Sequence, residues 1–135
     1  MNRMLLTLIM TITVFGGSLP AQESPVTPKA ARIRITQGPE VELAKQQLTI
    51  IRWTTSNPGG SPVHYGIVRY GTDPNDLSQT AKSPIRLNPD HSSTVFRVRL
   101  DNLKPRTTYY YTVASVEANG TSDPFVSPTN TFTTP

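Results

Sequence analysis

Two histidines, His64 and His91, are the first residues that could hold a metal or move a proton. They stand 27 positions apart, and neither has a ligand-type partner at metal-site spacing. His64 opens a strand-like run, and His91 sits in the polar loop Asn88-Pro89-Asp90-His91-Ser92-Ser93; both read as surface side chains. There is no cysteine, which excludes disulfides, thiolate metal sites and a cysteine nucleophile. Serines and aspartates are numerous enough to furnish a Ser-His-Asp triad by composition. However, no Gly-x-Ser-x-Gly elbow and no glycine-rich phosphate loop is present, and Gly59-Gly60 reads as a turn rather than a cradle. Asp73 and Asp76 flank Pro74-Asn75 and offer two carboxylates, short of the roughly six to eight oxygens calcium takes. Asn119-Gly120-Thr121 is a formal match to a glycosylation acceptor. No catalytic residue, cofactor or metal ligand is expected.

Such residues are carried by short segments of period two, separated by turn chemistry. Thirteen prolines and eight glycines punctuate the chain, as an all-β domain with frequent turns requires. The alternation predicts seven strands: Ala31–Thr36, Gln47–Thr55, His64–Gly71, a short edge strand at Ser78–Lys82, Thr94–Leu100, Thr107–Val116 and Thr129–Thr134. Gln37-Gly38-Pro39-Glu40 breaks the first. Ala118-Asn119-Gly120 turns the chain after the sixth, the Asn-Gly pair favouring positive φ. Seven strands with turns about every ten residues predict a seven-stranded antiparallel, immunoglobulin-like β-sandwich.

The same phases place charge. Arg32 and Arg34, Arg52, and Arg97 and Arg99 all point outward, forming a candidate basic surface on one sheet. It would take an acidic partner or anionic polysaccharide unless acids such as Glu40, Glu42 or Asp101 neutralise it. Nucleic acid is disfavoured, because no aromatics interleave with these arginines. In Tyr109-Tyr110-Tyr111, alternation turns Tyr109 and Tyr111 inward and Tyr110 outward, where one tyrosine reads as cross-strand packing rather than a sugar platform.

Residues 1–21 read as a signal peptide. Arg3 is the positive start, Leu5–Phe15 the apolar run, and Gly16–Ala21 the small residues before cleavage after Ser18 or Ala21. The apolar run is shorter than the ~20 residues a membrane span needs. Residues 22–30 read as a flexible linker and 31–135 as the folded domain. The expected destination is secreted or periplasmic, with no membrane span after cleavage. The formal charge is +4, or +3 once Arg3 leaves with the leader.

Three features of residues 30–135 resemble a fibronectin type III domain. Trp53 ends Ile51-Arg52-Trp53, where that family buries its core tryptophan. Leu103-Lys104-Pro105-Arg106-Thr107-Thr108-Tyr109 resembles the family's Leu-x-Pro-x-Thr-x-Tyr corner, with arginine at position 106 where glycine is usual. Phe132-Thr133-Thr134 is similar to its closing strand. The resemblance implies a structural core containing Trp53, Tyr70, Leu103, Pro105, Tyr109 and Tyr111, with Tyr109 as the corner tyrosine. No Arg-Gly-Asp tripeptide occurs. More narrowly, Val68-Arg69-Tyr70-Gly71-Thr72, Leu100–Pro105 and Thr107–Val113 resemble the N-terminal domain of purple acid phosphatases. None of that family's dimetal motifs can be placed on this sequence, which is expected to lack the catalytic domain. The expected function is therefore a secreted, non-catalytic interaction or spacer module contacting protein or glycan. The alternative is an accessory subunit or orphan N-terminal domain of a metallophosphatase-type hydrolase system.

Overall fold

The computed structural model describes residues 28–135 and position 16. Apart from Gly16, the leader read over residues 1–21 lies outside the described residues, as does the linker up to residue 27.

Eight strands form, every pairing antiparallel: β1 Ile35–Lys45, β2 Leu48–Ser56, β3 Val63–Gly71, β4 Gln79–Arg86, β5 Ser93–Asp101, β6 Thr108–Glu117, β7 Ser122–Val126 and β8 Asn130–Thr133. The order β1-β2-β5 makes one sheet. The order β4-β3-β6-β7 makes the other, with β8 also pairing β6. This is the all-β, fibronectin type III arrangement that the resemblance implied. Alternation decides which side chains fill the space between the sheets. Ile51 and Trp53 of β2 and Phe96, Val98 and Leu100 of β5 meet Val68 and Tyr70 of β3 and Tyr109, Tyr111 and Val113 of β6. Fully burying one such side chain stabilises the fold by about 1.5–3 kcal/mol. Trp53 and Phe96 stack with centroids 5.2 Å apart. Gly66 of β3 lies under them: a β-carbon there would sit 3.1 Å from Trp53, Phe96 and Val98 at once.

The corner before β6 follows the expected chemistry. The Lys104 amide donates to the Tyr109 hydroxyl at 2.8 Å, while the Tyr109 ring stacks on Phe132 at 5.4 Å. Leu103 is buried beneath the turn. Pro105 is the exception among the expected core residues: it is exposed, because its ring sets the turn's φ rather than filling the interior. Arg106, at the position where glycine is usual, has φ +48°.

Three strands depart from expectation. The first does not end at Gly38-Pro39: β1 begins at Ile35 and continues to Lys45 through register shifts around these residues. It is an edge strand, where proline removes no ladder bond that the sheet needs. Residues 31–34 precede it, with Ile33 buried and Arg34 exchanging bonds with Ser56. β4 likewise runs past Lys82 to Arg86, since Pro84 also lies on an edge. The closing strand is two strands, β7 and β8, both on β6. Between them Ser127 bonds Val113 through its backbone N–H at 2.9 Å and its Oγ at 2.8 Å. β7, which contains Pro124, was not among the expected strands.

Candidate functional site

The arginines expected to form one basic surface do not act as one. Arg52 and Arg97 are direct cross-strand partners on β2 and β5, an unfavourable pairing of like charges. β1 supplies the answer. Glu40 lies opposite Arg52 and contacts its Nη1 at 3.4 Å, and Glu42 accepts from Arg97 Nε at 2.8 Å. Arg99 donates to Asp101 at 2.7 Å. Three arginines and three carboxylates leave this patch without net charge. Arg32 and Arg34 are exposed but stand beside the end of β2, near Ser56, four residues along the strand from Arg52, or about 13 Å. The strip is charge-balanced because the part of β1 carrying its acids lies beyond the proline that read as a break.

A different cluster was missed. His64 is not a surface residue: it is fully buried on the inward face of β3. Its Nδ1 lies 2.8 Å from Oδ2 of Asp123 on β7, and its Nε2 lies 2.9 Å from the carbonyl of Gly59. Ser115 of β6 donates its hydroxyl to the same Asp123 oxygen at 2.5 Å. Asp123 Oδ1 has no hydrogen bond and takes its counter-charge from Lys29 Nζ at 3.5 Å. Lys29 also donates to Glu117 at 3.0 Å, and Glu117 accepts the Ser61 amide at 2.8 Å. The cluster closes one end of the sandwich.

Its electrostatics follow from these contacts. The Ser61 amide, followed by the Lys29 ammonium, holds the Glu117 carboxyl below its ordinary range against the opposing effect of burial. Desolvation works to lower Lys29, but Glu117 and Asp123 outweigh it and hold the ammonium above its ordinary value. Gly59 and Gly60, both at positive φ, make this approach possible. A β-carbon on Gly60 would overlap Glu117, and one on Gly59 would overlap the Pro28 carbonyl. The glycine pair thus lets the chain's own carboxylate and N-terminal segment come close. Lys29 and Ala30, read as linker, are bound here, Ala30 through its amide to Pro58 at 2.8 Å.

Ser115, His64 and Asp123 have the composition of a nucleophilic triad but not its wiring. Asp123 stands between the other two, so the serine proton faces a carboxylate rather than the imidazole. The serine, histidine and aspartate are all sealed from solvent. The arrangement neutralises buried charge and ties the N-terminal segment to β6 and β7. Burial was illegible because its contacts join residues 59 apart and depend on a strand containing proline.

The remaining candidates sit apart. His91 is exposed in its loop, 88–93. Asp73 accepts the Asn75 amide at 2.9 Å and Asn119 the Thr121 amide at 2.9 Å, so both side chains serve their own turns. Tyr111 is buried, and burial pushes its hydroxyl up to about 12. Tyr110 faces outward.

The family described as "Purple acid Phosphatase, N-terminal domain" has a model that matches residues 37–134. Similar solved structures include the solution structure of the sensor domain of the anti-sigma factor RsgI4 in Pseudobacteroides cellulosolvens. The two are 21% identical, with 76% of this chain and 74% of that one covered and a TM-score of 0.50, a likeness of fold. The fn3 domain of human contactin 1 is 18% identical, with 88% and 90% covered and a TM-score of 0.49. No curated protein matches the chain.

Proposed function

This chain belongs to the purple acid phosphatase N-terminal domain family, and from that premise we propose that it is an exported, non-catalytic module that works by surface binding. The observation that carries this reading is the wiring of the buried cluster. Among the described residues, the place where an acid, an imidazole and a hydroxyl converge is buried, and its serine faces the carboxylate instead of the base. Export rests on the leader in residues 1–21. The family match also favours a version in which the module serves a metallophosphatase-type hydrolase system.

The test has two arms. The mature protein is assayed on a panel of phosphate and carboxylic esters with and without divalent metal ions. It is then immobilised and exposed to exported and envelope fractions of its own organism at low and physiological salt. Retention of a defined component without turnover is expected. Turnover that Ser115→Ala abolishes, with the fold intact, would overturn the reading.

A further inference from the structure

The outward face of the five-stranded sheet carries cations without ion-pair partners, whereas those on the strip of the other sheet are neutralised. Alternation turns Val63, Tyr65, Ile67 and Arg69 of β3 outward, together with Lys82, Pro84 and Arg86 of β4. β6 adds Tyr110, Thr112, Ala114 and Val116. Arg69, Lys82 and Arg86 are exposed, and no ion pair among the described residues includes any of them. No acid occupies an outward position on β3, β4, β6 or β8; Asp123 of β7 points inward, committed to His64, Ser115 and Lys29.

Register arranges these groups as a track. Lys82 lies opposite Ile67 and Arg86 opposite Val63, which places Lys82 diagonal to both Tyr65 and Arg69. Arg69 lies opposite Thr112, with Tyr110 diagonal to it. Diagonal neighbours on one face stand about 7–8 Å apart, within reach of long side chains. From Val63 to Arg69 the track runs about 20 Å along β3. Beside it is a hollow of about 140 Å³, walled by Ile67, Arg69, Phe125 and Val126 and, on its polar side, by Ser115 and Asp123. Val126 is 69% exposed. Half-buried rings and aliphatic side chains, rimmed by cations without ion-pair partners, offer a ligand both apolar contact and charge.

We propose that this face binds an anionic polysaccharide, its sugar rings lying on Tyr65, Ile67 and Tyr110 and its carboxylate or sulfate groups on Arg69, Lys82 and Arg86. The proposal rests on the reading of the chain as a binding module. The extended track favours a linear chain, and unpaired guanidinium and ammonium groups favour anions. The flat rows of rings and aliphatic side chains offer the apolar faces of sugars the contact that an acidic peptide does not require.

The full mature chain is titrated with a polyuronate, a sulfated dextran, neutral dextran and poly-glutamate at low and physiological salt. Two triple variants are compared, Arg69→Ser/Lys82→Ser/Arg86→Ser and Arg52→Ser/Arg97→Ser/Arg99→Ser, each checked for an unchanged unfolding midpoint. Expected is binding of the polyuronate or the sulfated dextran, weakened at least about tenfold in the first triple and by less than about threefold in the second. Which of the two binds better identifies the anion. Tyr110→Ser should weaken it further while leaving the salt dependence unchanged. Equal loss in both triples, or equal affinity for poly-glutamate, overturns the proposal. If none of the polymers binds but an exported component is still retained, the glycan face is overturned and the binding-module reading stands.

Discussion

His64 Nδ1 lies 2.8 Å from Asp123 Oδ2, and both side chains are wholly shielded from solvent. Removing the buried carboxylate leaves the Ser115 hydroxyl and the His64 ring without their partner, and each buried polar group left unsatisfied costs about 1–3 kcal/mol. Asp123→Ala is therefore expected to destabilise the domain by about 3–5 kcal/mol in urea unfolding. Ser115→Ala removes one donor while His64 and Lys29 remain on the carboxylate, and should cost only about 1 kcal/mol. A near-equal cost for the two would contradict Asp123 as the hub.

Glu117 gives the acid limb of stability its sign. Its folded-state carboxyl is held below the ordinary value of 4.5, first by the Ser61 amide and then by Lys29. A depressed carboxyl contributes stability that is present above its unfolded value and lost as pH falls through the folded one. Glu117→Gln should therefore be less stable than the parent near neutrality, and the gap should close as pH drops below about 4.5. Unfolding midpoints across pH 3 to 7, as an approximate range, measure this directly; a gap independent of pH would refute it.

Gly66 is required by packing, not by its φ. Three core side chains converge on the place a methyl would occupy. Gly66→Ala is expected to cost about 1–3 kcal/mol and to move the Trp53 fluorescence spectrum. An unchanged spectrum with unchanged stability would show that the Trp53–Phe96 stack has room to give.

Arg106 is the opposite case. At φ +48° an arginine bears a penalty that glycine avoids. Arg106→Gly should raise stability by up to about 1 kcal/mol, after the greater unfolded-state freedom of glycine is subtracted. Thermal unfolding decides it, with a lower midpoint as the contrary result.

Much of this fold was legible in the sequence because its signals are local. Period two located Ile51 and Trp53 on β2 and Phe96, Val98 and Leu100 on β5. The resemblance of Leu103-Lys104-Pro105-Arg106-Thr107-Thr108-Tyr109 to the fibronectin type III corner implied Tyr109 as the corner tyrosine. What was hidden depended on distant partners. His64 read as surface because nothing near it in sequence shows that Asp123 and Gly59 converge on it. Gly38-Pro39 read as a break, yet it lies in an edge strand that needs fewer donors. Glu40, Glu42 and Asp101 are legible as acids that could answer the arginines, but only the continuation of β1 past Pro39 sets Glu40 and Glu42 beside Arg52 and Arg97.

The face itself is tested most directly by amide chemical-shift mapping of the isotopically labelled mature chain during titration with an oligomeric uronate or a sulfated oligosaccharide. Shifts concentrated at Tyr65, Ile67, Arg69, Lys82, Arg86 and Tyr110 are expected. Shifts concentrated at Arg52, Arg97 and Arg99, or in the 57–62 loop, would contradict it.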